Sequence, residues 1–509
     1  MNRRKFIELS GQGAAGILAG GTALGALLSS CTQISSGQFD EFINYDALGL
    51  AALIKKKEIT PTELIHVVIR RIEALEGSIN ALTTRTFEQA LDNAKHVSIE
   101  STFAGVPILM KDMIDIAGIP RTDGSRLLQN NIGDKSVDYV KAIEKSGLII
   151  LGMTNVPEFT TTAITDNELF GPTHNPWDLE YSCNGSSGGA AAAIAAGYIP
   201  LAHGTDGGGS CRLPASACNL FGMKPSRYRM LSGELDGSHD MFKTNQAISR
   251  TVRDNAALFY ETQDKSGKNI PALDLISGLS KKRLKIAHIP NGLKEFPSDS
   301  SNIYAGNEVA KLCESLGHHV EEVEHPVNGE EFFMHYNNAF LPKFSPLITL
   351  VEQLSGKSAI ASGLLTPFTI SMAEYAKEIS PEDTQRGIDY LSNLDKVFQP
   401  LFDKYDVILS PTAPLETIKL GEISPQDQFI DRKPKLEKLL SLTAICNAVG
   451  NPAMSVPLSI SKNTGLPIGS MFQAKIGDDK MLYELAYELE IAKPWKDVWA
   501  PHSINFKTN

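Results

Sequence analysis

The chain of 509 residues has no excess of positive charge: 48 Lys and Arg stand against 59 Asp and Glu, a net charge of −11. A nucleic-acid partner needs a basic surface to meet phosphates, so this balance argues against that class of function. Cysteine is scarce. The six, Cys31, Cys183, Cys211, Cys218, Cys313 and Cys446, follow no spacing that reads as a disulfide framework. Histidine offers no obvious catalytic base: His203 has no evident orienting partner in sequence. His319, Glu321 and His325 share one face of an expected strand, where a solvated face is the simpler reading than a metal site. No internal repeat stands out, and low complexity is confined to the first residues. The apolar stretch from Gly13 to Leu28 is short and glycine-rich for a spanning helix. What remains is a 42% hydrophobic, 21% charged composition, that of a chain able to bury a large globular core.

The N-terminus reads as a targeting segment. Arg3, Arg4 and Lys5 precede Phe6, Ile7 and the weakly apolar stretch to Leu28, a basic region followed by an apolar one. The start resembles a twin-arginine signal, and Leu27-Leu28-Ser29-Ser30-Cys31 resembles a bacterial lipobox, in which the cysteine is lipidated. The expected organisation is an export signal over 1–30, a polar tether over 31–44 and a single domain over 45–505. The expected location is periplasmic, held to a membrane by the N-terminal lipid.

Along that domain, Thr60-Pro61-Thr62-Glu63 predicts a capped helix start, with Leu64, Val67, Val68, Ile72 and Leu75 on one face. Val106 to Met110 and Leu148 to Leu151 read as buried strands, and Ala190 to Ala196 as a buried helix. A strand, helix, strand pattern runs through Leu284–Ile289, Asn307–Leu316 and Val320–Val323. The stretch near 330–400 reads as mostly helical, an insertion that would shape a substrate site. Val407–Thr412, Pro452–Pro457 and Ile468–Phe472 read as late strands. The alternation predicts an α/β fold built on a large mixed, mostly parallel sheet between layers of helices.

Three segments are hard to explain by packing alone. Lys111 ends the apolar run Val106-Pro107-Ile108-Leu109-Met110. Most lysines reach water, but one that is desolvated has its pKa lowered and can accept a proton as the neutral amine. Ser186 and Ser187 sit in Asn184-Gly185-Ser186-Ser187-Gly188-Gly189, a turn before a helix. That turn fits either a helix cap or an anion-binding helix N-terminus. Ser210 follows Gly207, Gly208 and Gly209 in Gly204-Thr205-Asp206-Gly207-Gly208-Gly209-Ser210-Cys211-Arg212. Glycines let successive N–H groups converge on one oxygen, and a serine placed there can attack if a base takes its proton. A structural turn or a phosphate loop would also use glycines, but a phosphate loop usually carries lysine beside its Ser or Thr, and Cys211 stands here. Lysine can replace histidine as the base for a serine. Together the segments suggest hydrolysis of an acyl bond without histidine, metal or cofactor.

With these segments the chain resembles the amidase signature family. Thr154-Asn155-Val156-Pro157-Glu158-Phe159, Phe170-Gly171-Pro172-Thr173-His174-Asn175-Pro176, Phe221-Gly222-Met223-Lys224-Pro225-Ser226, Asn451–Pro457 and Gly465–Gly469 also resemble its motifs. The resemblance implies Ser210 as the acylated nucleophile, Ser186, on a cis peptide, as proton relay, and Lys111 as final base. It implies that Ser187 orders the network, that Asp206 and Arg212 hold the loop, and that the backbones of Gly207, Gly208, Gly209 and Ser210 form the oxyanion hole. Gly207 departs from the family's usual Thr or Ile, Cys183-Asn184 from a Pro-Gly-like pair, and Tyr181 from a frequent arginine. The expected activity is hydrolysis of a small-molecule or peptide amide to acid plus ammonia or amine. The alternatives are a glutaminase like the glutamyl-tRNA amidotransferase A-subunit, against which the export signal argues, and a lipoprotein that binds acyl or peptide ligands without turnover.

Overall fold

Local sequence sets the first long helix. In the computed structural model, which describes residues 41–505, Thr60 accepts from the N–H of Glu63 while the Glu63 carboxylate accepts from the N–H of Thr60. This reciprocal cap, with Pro61 in the first turn, starts helix α1 (Pro61–Ile79). Leu64, Val67, Val68 and Ile72 are buried along it, and Leu75 is half-buried. The expected signal segment, Cys31 and most of the tether lie outside the described residues.

Among the described residues thirteen strands follow in order: β1 (Leu82–Arg85), β2 (Pro107–Lys111), β3 (Ile149–Thr154), β4 (His174–Asn175), β5 (Asp178–Ser182), β6 (Leu201–Asp206), β7 (Phe221–Lys224), β8 (Thr244–Ser249), β9 (Lys285–His288), β10 (His319–Glu322), β11 (Val407–Pro411), β12 (Ala453–Ile460) and β13 (Pro467–Ala474). β4 and β5 pair separately, and the rest form one 11-stranded sheet in the order β1-β3-β2-β6-β8-β7-β12-β13-β11-β9-β10.

The sheet is mixed as expected, but it is not mostly parallel. β3–β2–β6 and β11–β9–β10 are parallel ladders, whereas β1–β3 and every pairing from β6 through β8, β7, β12 and β13 to β11 are antiparallel. The reason lies partly in the connections. Residues 461–466 join β12 to β13 in a loop too short for the crossover a parallel pair requires.

Helix α2 (Gly188–Ala195) packs on β6, β2 and β3, and all eight of its residues are buried. Its glycines and alanines are what permit this: a Cβ on Gly189 would lie 2.4 Å from the backbone N of Asn155, and one on Gly188 2.2 Å from Thr165 Oγ1. Helix α3 (Arg212–Ala217) packs on β7, β12 and β13. Helix α4 (Ser300–Ser315) begins seven residues earlier than the apolar pattern predicts, because its first turn, Ser300-Ser301-Asn302, is polar. The chain near 330–400 is helical, including α5 (Gly329–Phe340) and α6 (Pro367–Lys377), with a short 3₁₀ turn at Leu341–Phe344. Helices α7 (Phe429–Leu440) and α8 (Thr443–Val449) lead back to the sheet.

Candidate active site

Lys111 is the last residue of β2, a strand buried along its whole length between β3 and β6. Its side chain is fully buried. Nζ donates to Ser186 Oγ at 2.7 Å and to Thr205 Oγ1 at 2.9 Å. Burial lowers the Lys111 amine to about 7; the Asp206 charge opposes that shift and does not cancel it. Neither neighbouring carboxylate braces it. Asp112 accepts from Thr122 N at 2.8 Å and Thr122 Oγ1 at 2.6 Å, and Asp115 pairs with Arg121.

Ser186 lies in the turn before α2, after a cis Gly185–Ser186 peptide. The Ser187 hydroxyl donates to the Thr205 carbonyl at 3.3 Å, and its N–H donates to the Ser210 carbonyl at 3.3 Å. The turn is thus tied both to β6 and to the loop that follows it.

That loop is organised by Asp206, the last residue of β6. Its carboxylate accepts from Gly209 N at 2.8 Å and Cys211 N at 3.1 Å, and forms a two-pronged pair with Arg212, Nη2 to Oδ1 at 2.8 Å and Nε to Oδ2 at 3.0 Å. Burial alone would raise the Asp206 pKa, but the Arg212 charge and hydrogen bonds outweigh it and hold the carboxyl well below its usual range. From α8, Asn447 accepts from Arg212 Nη2 at 2.6 Å and donates to the Asp206 carbonyl at 2.8 Å. Gly209 has φ 131°, and a Cβ there would lie 2.4 Å from Thr443 Oγ1. The glycine is required on both counts.

Ser210 is half-buried and lines a cavity of about 270 Å³ together with Ser186, Thr205, Gly207 and Gly208. Among the described residues no hydrogen bond joins Ser186 Oγ to Ser210 Oγ. Gly209 turns its N–H to Asp206, so it faces the carboxylate rather than the cavity. Gly207 has room: an added Cβ would meet only Lys243 Cβ, at 3.9 Å. Cys183 is buried, and Tyr181 lies under Lys419, whose Nζ is 5.3 Å from the ring centroid; neither lines the cavity.

His203 is no base in this arrangement. Its Nδ1 accepts the Lys111 N–H at 3.3 Å, and burial, with the Lys111 charge, lowers it to about 3. Among the described residues no cluster of His, Cys, Asp and Glu is grouped to hold a metal. The expected shared strand face does not form, because β10 ends at Glu322 and His325 lies beyond it: Glu321 pairs with Lys404 and His325 packs against Phe398. Cys183, Cys211, Cys218, Cys313 and Cys446 are buried free thiols.

Two residues at the centre are not assigned a role by the sequence motifs, Thr205 and Asn447. Thr205 shares Lys111 with Ser186, and its place beside Asp206 was the available signal. Asn447 had none, standing 241 residues from Asp206.

The mixed sheet flanked by helices is the fold of amide hydrolases. The chain belongs to the amidase signature family: a family model described as Amidase matches residues 63–483. A Mycobacterium tuberculosis protein described as "Putative amidase AmiC" is 32% identical over 474 residues, covering 91% of this chain and 98% of that one. An acylamidase of Rhodococcus erythropolis is 28% identical, covering 89% and 96%. The solved structure of 6-aminohexanoate cyclic dimer hydrolase with its substrate superposes with TM-score 0.81 at 27% identity, covering 90% of this chain and 99% of that one.

Proposed function

We propose that this chain hydrolyses a carboxylic amide to acid plus ammonia or amine through an ester on Ser210. Ser210 Oγ attacks the carbonyl carbon while its proton passes to Ser186 Oγ, whose own proton passes to the neutral Lys111 Nζ. The tetrahedral oxyanion is held by the N–H groups of Gly207, Gly208 and Ser210, with Gly209 fixing the loop through Asp206. Reversing the relay protonates the leaving nitrogen as the C–N bond breaks. Water then repeats the attack and releases the acid. Ser187 orders the turn, and Asp206 with Arg212 holds the loop.

The observation that carries this reading is the 2.7 Å contact between Ser186 Oγ and a fully buried lysine held near neutrality. A base must have a pKa close to the working pH and reach the proton it takes, and the burial of Lys111 and its contact with Ser186 support that role. The N-terminal sequence further supports export by residues 1–30 and attachment through a lipidated Cys31.

The test is a panel of aliphatic, aryl and peptide amides with ammonia or amine detection. Turnover of at least one class, lost in Ser210→Ala, is expected. A folded protein that turns over none and takes no serine-directed fluorophosphonate would contradict the assignment.

A further inference from the structure

The wall of the cavity leads away from Ser210 in a defined direction. Tyr336 of α5 donates to the Gly207 carbonyl at 3.4 Å, so the helix touches the serine loop directly. One turn on, Phe340 stacks on Tyr336 with ring centroids 5.6 Å apart and planes 14° from parallel. Lys343 Nζ then stands 3.9 Å from the Phe340 centroid and 5.2 Å from that of Phe344. All four side chains line the cavity, and the Lys343 side chain is accessible to solvent.

The charges along this wall are unequal in their pairing. Three lysines line the cavity. Lys243 is paired with Glu234, and Lys433 with Glu437, which also accepts from Asn337 Nδ2 at 2.7 Å. Lys343 has no ion pair among the described residues. Its nearest cavity carboxylate by charge interaction, Asp240, spends Oδ1 on the N–H groups of Phe242 and Lys243, at 2.7 Å and 3.0 Å. An aromatic face beneath an ammonium removes water from one side of it and leaves the other side open to an anion.

We propose that the preferred substrates are amides with an aromatic or extended apolar arm ending in a carboxylate, and that Lys343 is the specificity-determining residue that pairs with it. The arm lies along Tyr336 and Phe340, and the carboxylate meets Lys343 Nζ where the ring ladder ends. This rests on the amidase reading above, since it presumes the carbonyl at Ser210. The walls alone would accept any apolar arm. Lys343 is what selects among arms, because no carboxylate contacts its ammonium directly, Asp240 acting on it only through space, and a substrate carboxylate supplies that contact where a neutral group does not.

Matched substrate pairs test this on either side of the scissile bond. On the acyl side they are 4-phenylbutanamide and 4-(4-carboxyphenyl)butanamide. On the amine side they are N-benzylacetamide and 4-(acetamidomethyl)benzoate. The ratio of kcat/KM, carboxylate over neutral, is taken within each enzyme, so effects of a substitution on folding or chemistry cancel. The wild type should favour the carboxylate on one side by about tenfold, mainly through KM, the scale of one charge-assisted contact. Lys343→Met should bring that ratio to about one or below, and Lys343→Arg should keep it, as a charge-pairing role requires. A ratio of one or less on both sides in the wild type, or a preference that survives Lys343→Met, would overturn the proposal. If neutral amides are turned over without preference, only the role of Lys343 falls. If no amide is turned over and Ser210 takes no fluorophosphonate, the amidase reading falls with it.

Discussion

Lys111 is the residue on which the proposed proton relay ends. An ordinary lysine stays protonated to about 10.5 and could not accept a proton near neutral pH; burial brings Lys111 to about 7. The sign follows directly. Below pH 7 the ammonium form predominates and the base is lost, so kcat/KM for an amide should rise about tenfold per pH unit and level off above the apparent pKa. Lys111→Ala should lower amide turnover by about 10² to 10⁴ and abolish that limb, with a smaller loss on esters, whose leaving alkoxide needs a proton less urgently than an amine does. A pH–rate profile flat from pH 5 to 9, or a folded Lys111→Ala enzyme with near-normal amide turnover, would rule the base out. The type of residue was legible from a lysine closing an apolar run. What the run could not reveal is that Thr205 shares it, since that depends on which strand lies beside β2.

At the scale of elements, the joint between the β6–α3 loop and α8 sets the geometry around Ser210. Arg212 and Asp206 are both buried, and Asn447 bridges them. Removing one partner leaves a charge buried without its counter-ion. Arg212→Met should therefore destabilise the protein by about 3–5 kcal/mol. The check is urea unfolding followed by both circular dichroism and tryptophan fluorescence, and a loss below about 1 kcal/mol would show that the pair does not hold the loop. Elements whose signals are local were the readable ones. The cap at Thr60 and Glu63 lies within four residues, and the alanine-rich helix α2 announces its burial by its composition. The parallel bias expected of the sheet was wrong because strand direction is decided by connections and partners. The pairing of β8 with β6 and β7 joins strands that no local pattern links.

Across the whole molecule, residues near the carboxyl ends of two adjacent parallel strands, β2 and β6, meet a turn that enters α2, and the helical stretch near 330–400 walls the cavity they open into. Lys111 and Ser186 are 75 residues apart in sequence and 2.7 Å apart in space. Their motifs could be read from sequence, but their contact is a property of the sheet order. The N-terminal expectation is tested apart from the fold. Mass spectrometry of the native-host membrane fraction should find the mature chain beginning at a lipidated Cys31, and a mature protein retaining residues before Cys31 would refute it. An acyl-enzyme on Ser210 is checked by reacting the active enzyme with a fluorophosphonate and mapping the adduct by peptide mass spectrometry. One adduct is expected, on Ser210, formed faster at pH 8 than at pH 6 and absent in Ser210→Ala. An adduct on another residue, or none in a preparation that still hydrolyses amides, would contradict it.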